Sequence, residues 1–206
     1  IKLTLFSNYI LNYVFERPIG IYGTVRGPMP YFIFDQNDVL FIGSDLTVKK
    51  EFTKKFNSSI TLNYLWSKNL ENNGNLINQP PVRIENNLIW KTNNFWKINF
   101  SEISLSPSYS FKQSQAPITI SPEDLINRVV NITPETNIFD FKDAPDGYFL
   151  LDFSWRLKLN DFSASINVNN VLNTSYRNYL NSMRYFADEI GRNFIINFSY
   201  TFKKKN

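Results

Sequence analysis

The chain has 206 residues, of which 17% are aromatic and only 19% charged, with a formal net charge of +4. It contains neither Cys nor His, so a thiolate nucleophile, a Cys-based zinc site and a conventional Ser-His-Asp triad cannot be built from it. Its cationic residues are spread along the chain rather than gathered into a stripe, which argues against a nucleic-acid surface. We predict a β-rich protein that is not an enzyme and has no cofactor and no bound metal.

Segments of alternating apolar and polar residues recur along the whole chain. Such alternation places large apolar groups on one face of a strand, as for Ile60, Leu62, Tyr64 and Trp66. Where the apolar positions change parity near 101–103, a β-bulge is expected. No apolar run approaches the roughly 18 residues of a membrane-spanning helix, whereas a barrel strand needs only about 9 to 11. In chain order, strands are predicted at 1–15, 31–52, 57–66, 82–91, 96–111, 148–159, 162–172 and 191–202.

The connections between these strands alternate between two lengths. Short ones are predicted at 53–56, 92–95 and 160–161, and long ones at 16–30, 67–81, 113–147 and 173–192. Short turns at one rim and long loops at the other are typical of an up-and-down outer-membrane barrel with periplasmic turns and extracellular loops. Aromatic girdles are expected near the strand ends, at Trp66, Trp90, Trp96, Trp155 and Tyr200. On periodicity alone, a large soluble β-barrel or sandwich remains an alternative.

The last 60 residues resemble the C-terminal end of TonB-dependent outer-membrane receptors. The matching segments are "DGYFLLDFSW", "INVNNVLNTSYRNYL" and "MRYFADEIGRNFIINFSYTF", and the family's signature falls on Val168, Asn170, Asn173 and Tyr176. Upstream, "NYILNYVFERP", "DQNDVLFIGSDL" and "NQPPVRIENNLIW" resemble further family segments, with Asp45 in place of a family Glu. The resemblance, which is to receptors of the Bacteroidetes type, extends over nearly the whole chain.

The resemblance implies a fold and a location. It implies an all-β, transmembrane, antiparallel up-and-down β-barrel, with residues 1–206 forming about the last eight strands of a 22-stranded barrel. No segment resembles the family's plug domain. The implied location is the outer membrane of a Gram-negative bacterium, crossed several times. An isolated eight-stranded barrel is the less favoured alternative.

The resemblance also implies a function and partners. The expected function is TonB-dependent uptake of a scarce nutrient, with a ferric siderophore, and therefore iron transport, ahead of other ligands. The alternative is a receptor-like barrel that serves as a structural subunit of an outer-membrane complex. Implied partners are outer-membrane lipid and lipopolysaccharide, the plug and upstream strands of the same receptor, the TonB complex acting through that plug, the barrel-assembly machinery and a surface lipoprotein.

Ligand-binding residues are expected in the long loops and just beside them. Cations combined with aromatic side chains suit an anionic ferric chelate, and equally the phosphates of lipopolysaccharide. The candidates are Arg17, Tyr22, Arg26, Tyr31, Arg83, Arg177, Tyr179, Arg184 and Tyr185. The third long loop is acidic instead and would repel anions, with a calcium ion or a partner protein as alternative ligands. Its carboxylates are Glu123, Asp124, Glu135, Asp140, Asp143 and Asp146.

The final strand of the chain is assigned a role in assembly. Phe198, Tyr200 and Phe202 resemble the aromatic C-terminal signal that the barrel-assembly machinery reads in this family. The three lysines at 203–205 depart from the family pattern and are interpreted as a solvated tail.

Overall fold

A computed structural model describes residues 1–25, 27–71, 74–95, 98–127 and 138–202. Long strands dominate this part of the chain. The eight long strands are β1 Lys2–Thr24, β2 Gly27–Glu51, β3 Phe56–Asn69, β4 Arg83–Phe95, β5 Ile98–Ser110, β8 Tyr148–Leu159, β9 Phe162–Asn169 and β10 Asn193–Tyr200. The short elements are β6 Ile118–Thr119, α1 Pro122–Ile126, β7 Phe139–Asp140 and a 3₁₀ helix at Ser182–Tyr185. No helix in the described ranges has the length and apolar character needed to cross a membrane.

The eight long strands form one antiparallel meander in the order β1-β2-β3-β4-β5-β8-β9-β10. The predicted all-β up-and-down order is therefore confirmed. The sheet is open, with β1 and β10 at its edges. Closure into a barrel and a total of 22 strands stay predictions. The short strands β6 and β7 pair in parallel with each other, apart from the large sheet.

The register of the strands divides the sheet into an apolar face and a polar face. Phe153 lies opposite Leu105 on β5 and Val168 on β9, so these side chains share the apolar face. One residue along, Ser154 lies opposite Ser104 and Asn167 on the polar face. Residues that are directly opposite in an antiparallel pair point to the same side, so the alternation seen in single strands continues across the sheet.

The β-bulge predicted near 101–103 is wrong. Strand β5 pairs with β8 in one unbroken register from Phe100 to Ser110, and the parity change arises because Phe100, opposite Lys158, lies on the polar face. The irregularities lie in β1 instead, between Ile10 and Tyr13 and again further along that strand. Asn12, inside the first irregularity, has a φ of 52°, a left-handed conformation that Asn tolerates better than most residues.

The prediction of a long loop at 16–30 is also wrong, because β1 and β2 continue through this segment as one extended hairpin. They contain 23 and 25 residues, about twice the 9 to 11 that a barrel strand needs to cross a bilayer. Backbone pairing persists up to Thr24 and Gly27. The hairpin therefore projects beyond the part of the sheet that a membrane could cover. The other long loops are present as a second connection at 70–82, a third at 111–147 and a fourth at 170–192.

Two hydrophobic clusters fix the connections against this hairpin. One cluster joins the hairpin to the third and fourth connections and includes Phe32 on β2. The Phe32 ring meets the Phe141 ring edge-on at a centroid distance of 5.8 Å. The first cluster contains Phe15, Val39, Phe41, Leu76 and Ile138, with Tyr13 and Leu65 packed against it. The second contains Ile120, Phe139, Phe141 and Tyr185, with Ile21, Phe32 and Leu125 packed against it. Burial of these side chains provides the main driving force for ordering the long connections.

Candidate functional site

Four buried side chains join the third connection to the fourth. Nη2 of Arg184 lies 2.5 Å from Oδ2 of Asp140 and 2.9 Å from the Tyr185 hydroxyl. That hydroxyl donates to Oδ1 of Asp140 at 2.7 Å. The Arg184 guanidinium carbon lies 4.6 Å from the centroid of the Tyr179 ring and 4.3 Å from that of Tyr185. We call Asp140, Tyr179, Arg184 and Tyr185 the Arg184 cluster.

Both charges of this cluster are removed from water, since the side chains of Arg184 and Asp140 are each 1% exposed. Desolvating two charges costs several kcal/mol each, and only close pairing with further hydrogen bonds offsets that cost. The hydrogen bonds to Asp140 and the two aromatic rings supply such compensation. Two buried polar atoms, Nε of Arg184 and the Tyr179 hydroxyl, have no hydrogen-bond partner in the described part of the chain.

Burial also sets the protonation of the two tyrosines. Burial first and then the nearby Asp140 charge raise the pKa of Tyr179 to about 12, although Arg184 and the Asn78 backbone act to lower it. The pKa of Tyr185 is raised still more, first by burial and then by the charge and hydrogen bond of Asp140. Both phenols are therefore protonated at neutral pH, and the Tyr185 hydroxyl remains a donor to Asp140.

Local structure in the fourth connection aims Arg184 and Tyr185 inward. The Asn181 side chain accepts from the Met183 backbone N–H at 2.9 Å and so caps the 3₁₀ helix. Nη1 of Arg177 donates to the Arg184 carbonyl oxygen at 2.8 Å. From the third connection, Nζ of Lys142 donates to the Tyr185 carbonyl oxygen at 2.8 Å. The first two bonds order the fourth connection, and the Lys142 bond ties its backbone to the third connection.

The structure brings together four of the residues predicted to bind ligand. Tyr179, Arg184 and Tyr185 belong to the Arg184 cluster, and Arg177 adjoins it while its Nε pairs with Asp188 at 2.7 Å. Hydrogen bonds from Ser175 and Arg177 hold the pKa of Asp188 below its usual range. The side chains predicted to contact a ligand therefore contact other residues of the chain instead.

The remaining predicted residues lie elsewhere. Nε of Arg17 on the hairpin pairs with Asp35 at 2.7 Å, and Arg83 at the start of β4 pairs with Glu85 at 3.0 Å. Tyr22 and Tyr31, also on the hairpin, are 69% and 51% exposed. Arg26 lies outside the described residues. The Arg83 side chain is also about half exposed, at 49%, so Tyr22, Tyr31 and Arg83 are the accessible candidates named here.

The acidic residues of the third connection are dispersed rather than gathered. Asp140 neutralises Arg184, Asp146 pairs with Lys112 at 3.0 Å, and Asp143 accepts from Thr119. Asp124 accepts from the Ser121 hydroxyl at 2.7 Å. Glu135 lies outside the described residues, and within them no group of three or more metal-ligating side chains is found. That Asp140 is the partner of Arg184 could not be predicted from the sequence, because the two residues lie in different connections.

The family-like signature at Asn170, Asn173 and Tyr176 forms a tight turn at the long-loop rim. Asn170 and Asn173 have φ values of 52° and 55°. Oδ1 of Asn170 accepts from the Thr174 N–H, and its Nδ2 donates to the Thr174 carbonyl, both at 2.8 Å. The Asn170 N–H donates to Oδ1 of Asp152 at 2.8 Å. Asn suits these positions because it tolerates a left-handed backbone, and at Asn170 its side chain also bonds to the backbone of Thr174.

The proposed assembly residues lie on and beyond β10. Phe198 and Tyr200 are on the apolar face, opposite Ala164 and Phe162, and they are 72% and 57% exposed. Phe202 is 87% exposed, and its ring meets the Tyr200 ring edge-on at 4.9 Å. The lysines at 203–205 lie outside the described residues.

No protein-family model matches this sequence, and no curated protein sequence matches it. Among solved structures, the chain is similar to the copper transporter OprC, with a TM-score of 0.69 and 14% sequence identity. The similarity covers 97% of this chain and 28% of OprC, so this chain spans less than a third of the length of that transporter. The comparison establishes the fold, which is that of part of an outer-membrane β-barrel wall.

Proposed function

We propose that this chain forms the C-terminal part of the barrel of a TonB-dependent outer-membrane receptor that imports a scarce nutrient, and that a ferric siderophore is its substrate. The observation that supports this most is the eight-stranded meander, with one apolar face, one polar face and long connections at one rim only. A wall of this kind separates lipid from a hydrophilic lumen. The role is transport, in which no covalent bond is made or broken.

The apolar face supports a multi-pass location in the outer membrane. Its side chains are exposed although they are large and apolar, as for Ile103 at 43% and Ile196 at 57%. Contiguous exposed apolar surface marks contact with lipid or with another protein. Aromatic residues occur at both ends of this face, with Tyr64 near the long connections and Trp90 and Tyr200 near the short turns. Such girdles meet the lipid headgroups.

The hairpin and the long connections would form the extracellular surface. Tyr22 and Tyr31 would contact a ligand first; this is supported by the exposure of both residues on the long β1–β2 hairpin. The Arg184 cluster would fix the third and fourth connections beside them. A surface lipoprotein could dock on the same surface. The plug and upstream strands would complete the lumen and connect the receptor to the TonB complex, and the barrel-assembly machinery would insert it.

The structural neighbour OprC is a copper transporter, which fits the broader expectation of a metal-containing substrate. Iron in particular is supported by the family resemblance and by the cationic and aromatic residues of the loops. Arg17 and Arg177 retain partly exposed side chains, at 15% and 35%.

The test uses the intact receptor gene in its native host. Deletion of the gene should abolish uptake of radiolabelled iron from at least one ferric siderophore, and deletion of TonB should give the same loss. A complemented strain serves as control. Normal uptake from every siderophore, combined with stoichiometric co-purification of other outer-membrane proteins, would instead support the structural-subunit alternative.

A further inference from the structure

The turn between β2 and β3 gathers positive charge at the short-turn rim of the sheet. Residues 49–56 read "KKEFTKKF", with four lysines and one glutamate. All four lysines are exposed, and within the described part of the chain none of them forms an ion pair with a carboxylate. Like charges at such short range repel one another, so this segment favours an anion that comes from outside the chain.

One of these lysines lies on the apolar face of the sheet. Lys50 is directly opposite Ser58 on β3, and the preceding pair on the same face is Val48 and Ile60. The Lys50 ammonium lies 5.1 Å from the centroid of the Phe52 ring. A lysine at the end of a lipid-facing row keeps its aliphatic stem in hydrocarbon and its ammonium at the level of the headgroups.

Aromatic rings continue from Lys50 across the same face to β4. The Phe52 ring stacks on the Phe56 ring at a centroid distance of 5.3 Å. Phe56 lies opposite Trp90, and their ring centroids are 6.1 Å apart. Phe52 and Trp90 are 53% and 55% exposed. We call Lys50, Phe52, Phe56 and Trp90 the Lys50 patch; it presents accessible ring surface beside an ammonium without an ion-pair partner in the described chain.

Backbone hydrogen bonds hold the turn that carries the Lys50 patch. The N–H groups of Phe52 and Thr53 donate to the Phe56 carbonyl oxygen at 3.0 and 3.1 Å, and the Phe56 N–H donates back to the Thr53 carbonyl oxygen at 3.2 Å. The Lys91 N–H donates to the Lys55 carbonyl oxygen at 2.7 Å, which fixes the turn to β4. A site on a turn held in this way loses little conformational entropy when a ligand binds.

We propose that the Lys50 patch binds the headgroup of an anionic phospholipid in the membrane leaflet at the short turns. The phosphate would lie among the ammonium groups of Lys50, Lys54 and Lys55. The Phe52 and Trp90 rings would contact the glycerol and the first methylenes of the acyl chains.

The position and the charge of the Lys50 patch decide between possible anions. A zwitterionic phospholipid carries its own cation beside the phosphate, so repulsion by the lysines disfavours it. A soluble anion lacks the acyl chains that the rings on the apolar face would contact. The assignment requires that the apolar face meets lipid, but it is independent of which nutrient, if any, the receptor imports.

The test is native mass spectrometry of the purified intact receptor, titrated with phosphatidylglycerol or phosphatidylethanolamine of identical acyl chains. Phosphatidylglycerol should bind more tightly. Lys50→Gln should weaken its binding roughly fivefold, which corresponds to the loss of one lysine near a headgroup. The triple variant Lys50→Gln/Lys54→Gln/Lys55→Gln should bind both lipids equally. Lys158→Gln is the matched control, because Lys158 lies opposite Phe100 on the polar face and should leave the affinity unchanged.

The assignment is wrong if wild type binds both lipids equally, or if Lys50→Gln and Lys158→Gln weaken phosphatidylglycerol binding to the same extent. Displacement of the lipid by glycerol phosphate at equal concentration would identify the site as one for a free phosphate and would also overturn it. Heat modifiability of each purified variant verifies that its barrel is folded. Uptake in cells tests the import function separately, so either conclusion can fail while the other stands.

Discussion

Arg184 and Asp140 are separated by 44 residues in the sequence, yet their side chains form an ion pair at 2.5 Å with only 1% of each exposed. The pair connects a 3₁₀ helix in the fourth connection to the short strand β7 in the third. Both connections thereby pack as one unit on the β1–β2 hairpin, through the cluster that contains Phe32 and Phe141. The extracellular surface proposed for this protein depends on that unit.

Asp140→Ala should loosen the third and fourth connections without unfolding the sheet. The variant leaves the Arg184 charge buried and unpaired, which costs about 3 to 5 kcal/mol. Limited proteolysis of the intact receptor should then cleave within these connections, whereas wild type resists. Asp146→Ala is the matched control, because Asp146 is 91% exposed in its pair with Lys112 and such pairs contribute at most about 1 kcal/mol. Equal resistance of wild type and Asp140→Ala would show that the pair does not hold the connections.

Phe153→Arg should destabilise the protein in a bilayer by about 2 to 4 kcal/mol, because it places a charge on the apolar face near mid-strand. Ile166→Arg should behave in the same way. Ser154 and Ser165 lie one residue away from Phe153 and Ile166 and point to the polar face. Ser154→Arg and Ser165→Arg should therefore be nearly neutral. Equilibrium folding into lipid vesicles measures all four. Penalties of equal size on both faces would indicate a soluble sandwich instead.

Replacing Phe202 with Asp should reduce assembly more than ligand capture. An edge strand in lipid leaves backbone N–H and C=O groups unsatisfied until it pairs, at several kcal/mol each. β10 is such an edge in the described sheet, and its aromatic end is the proposed signal for the assembly machinery. The amount of heat-modifiable receptor in outer membranes should fall, while the folded fraction keeps its ligand affinity. Ser199→Asp, on the polar face, is the control; normal levels of Phe202→Asp with lost binding would contradict the assignment.

The Arg17 and Asp35 pair should make the hairpin sensitive to acid. The hydrogen bond from Arg17 holds the pKa of Asp35 below its ordinary value of 3.8. A carboxyl whose pKa is lowered by folding contributes stability that is fully present above the ordinary pKa and is lost as pH falls through the lowered one. Hydrogen-exchange protection near Arg17 should therefore be constant above about pH 5 and fall below pH 3.8. Asp35→Asn removes this titration, and an unchanged acid loss in that variant would assign it to another group.

Local periodicity was enough to predict most of the sheet from the sequence. The strands at 148–159 and 57–66 correspond to Tyr148–Leu159 and, with short extensions, to Phe56–Asn69. Alternation with a period of two depends only on neighbours along the chain, so it can be recognised without knowing the partner strand. Apart from 16–30, the alternation of long and short connections follows from the same pattern, and with it the order of an up-and-down meander.

What depended on distant residues could only be decided by the tertiary structure. Because the segment 16–30 contains Pro18 and Gly20, its composition predicted a loop. Pairing with β2 and packing of Phe32 against Phe141 instead extend the hairpin through this segment. Arg184 was predicted to meet a ligand, and its buried partner Asp140 could not be identified because nothing local links residues 44 positions apart. A side chain's type can be read from the sequence, whereas its burial and its partner are set by the packing of segments remote in the chain.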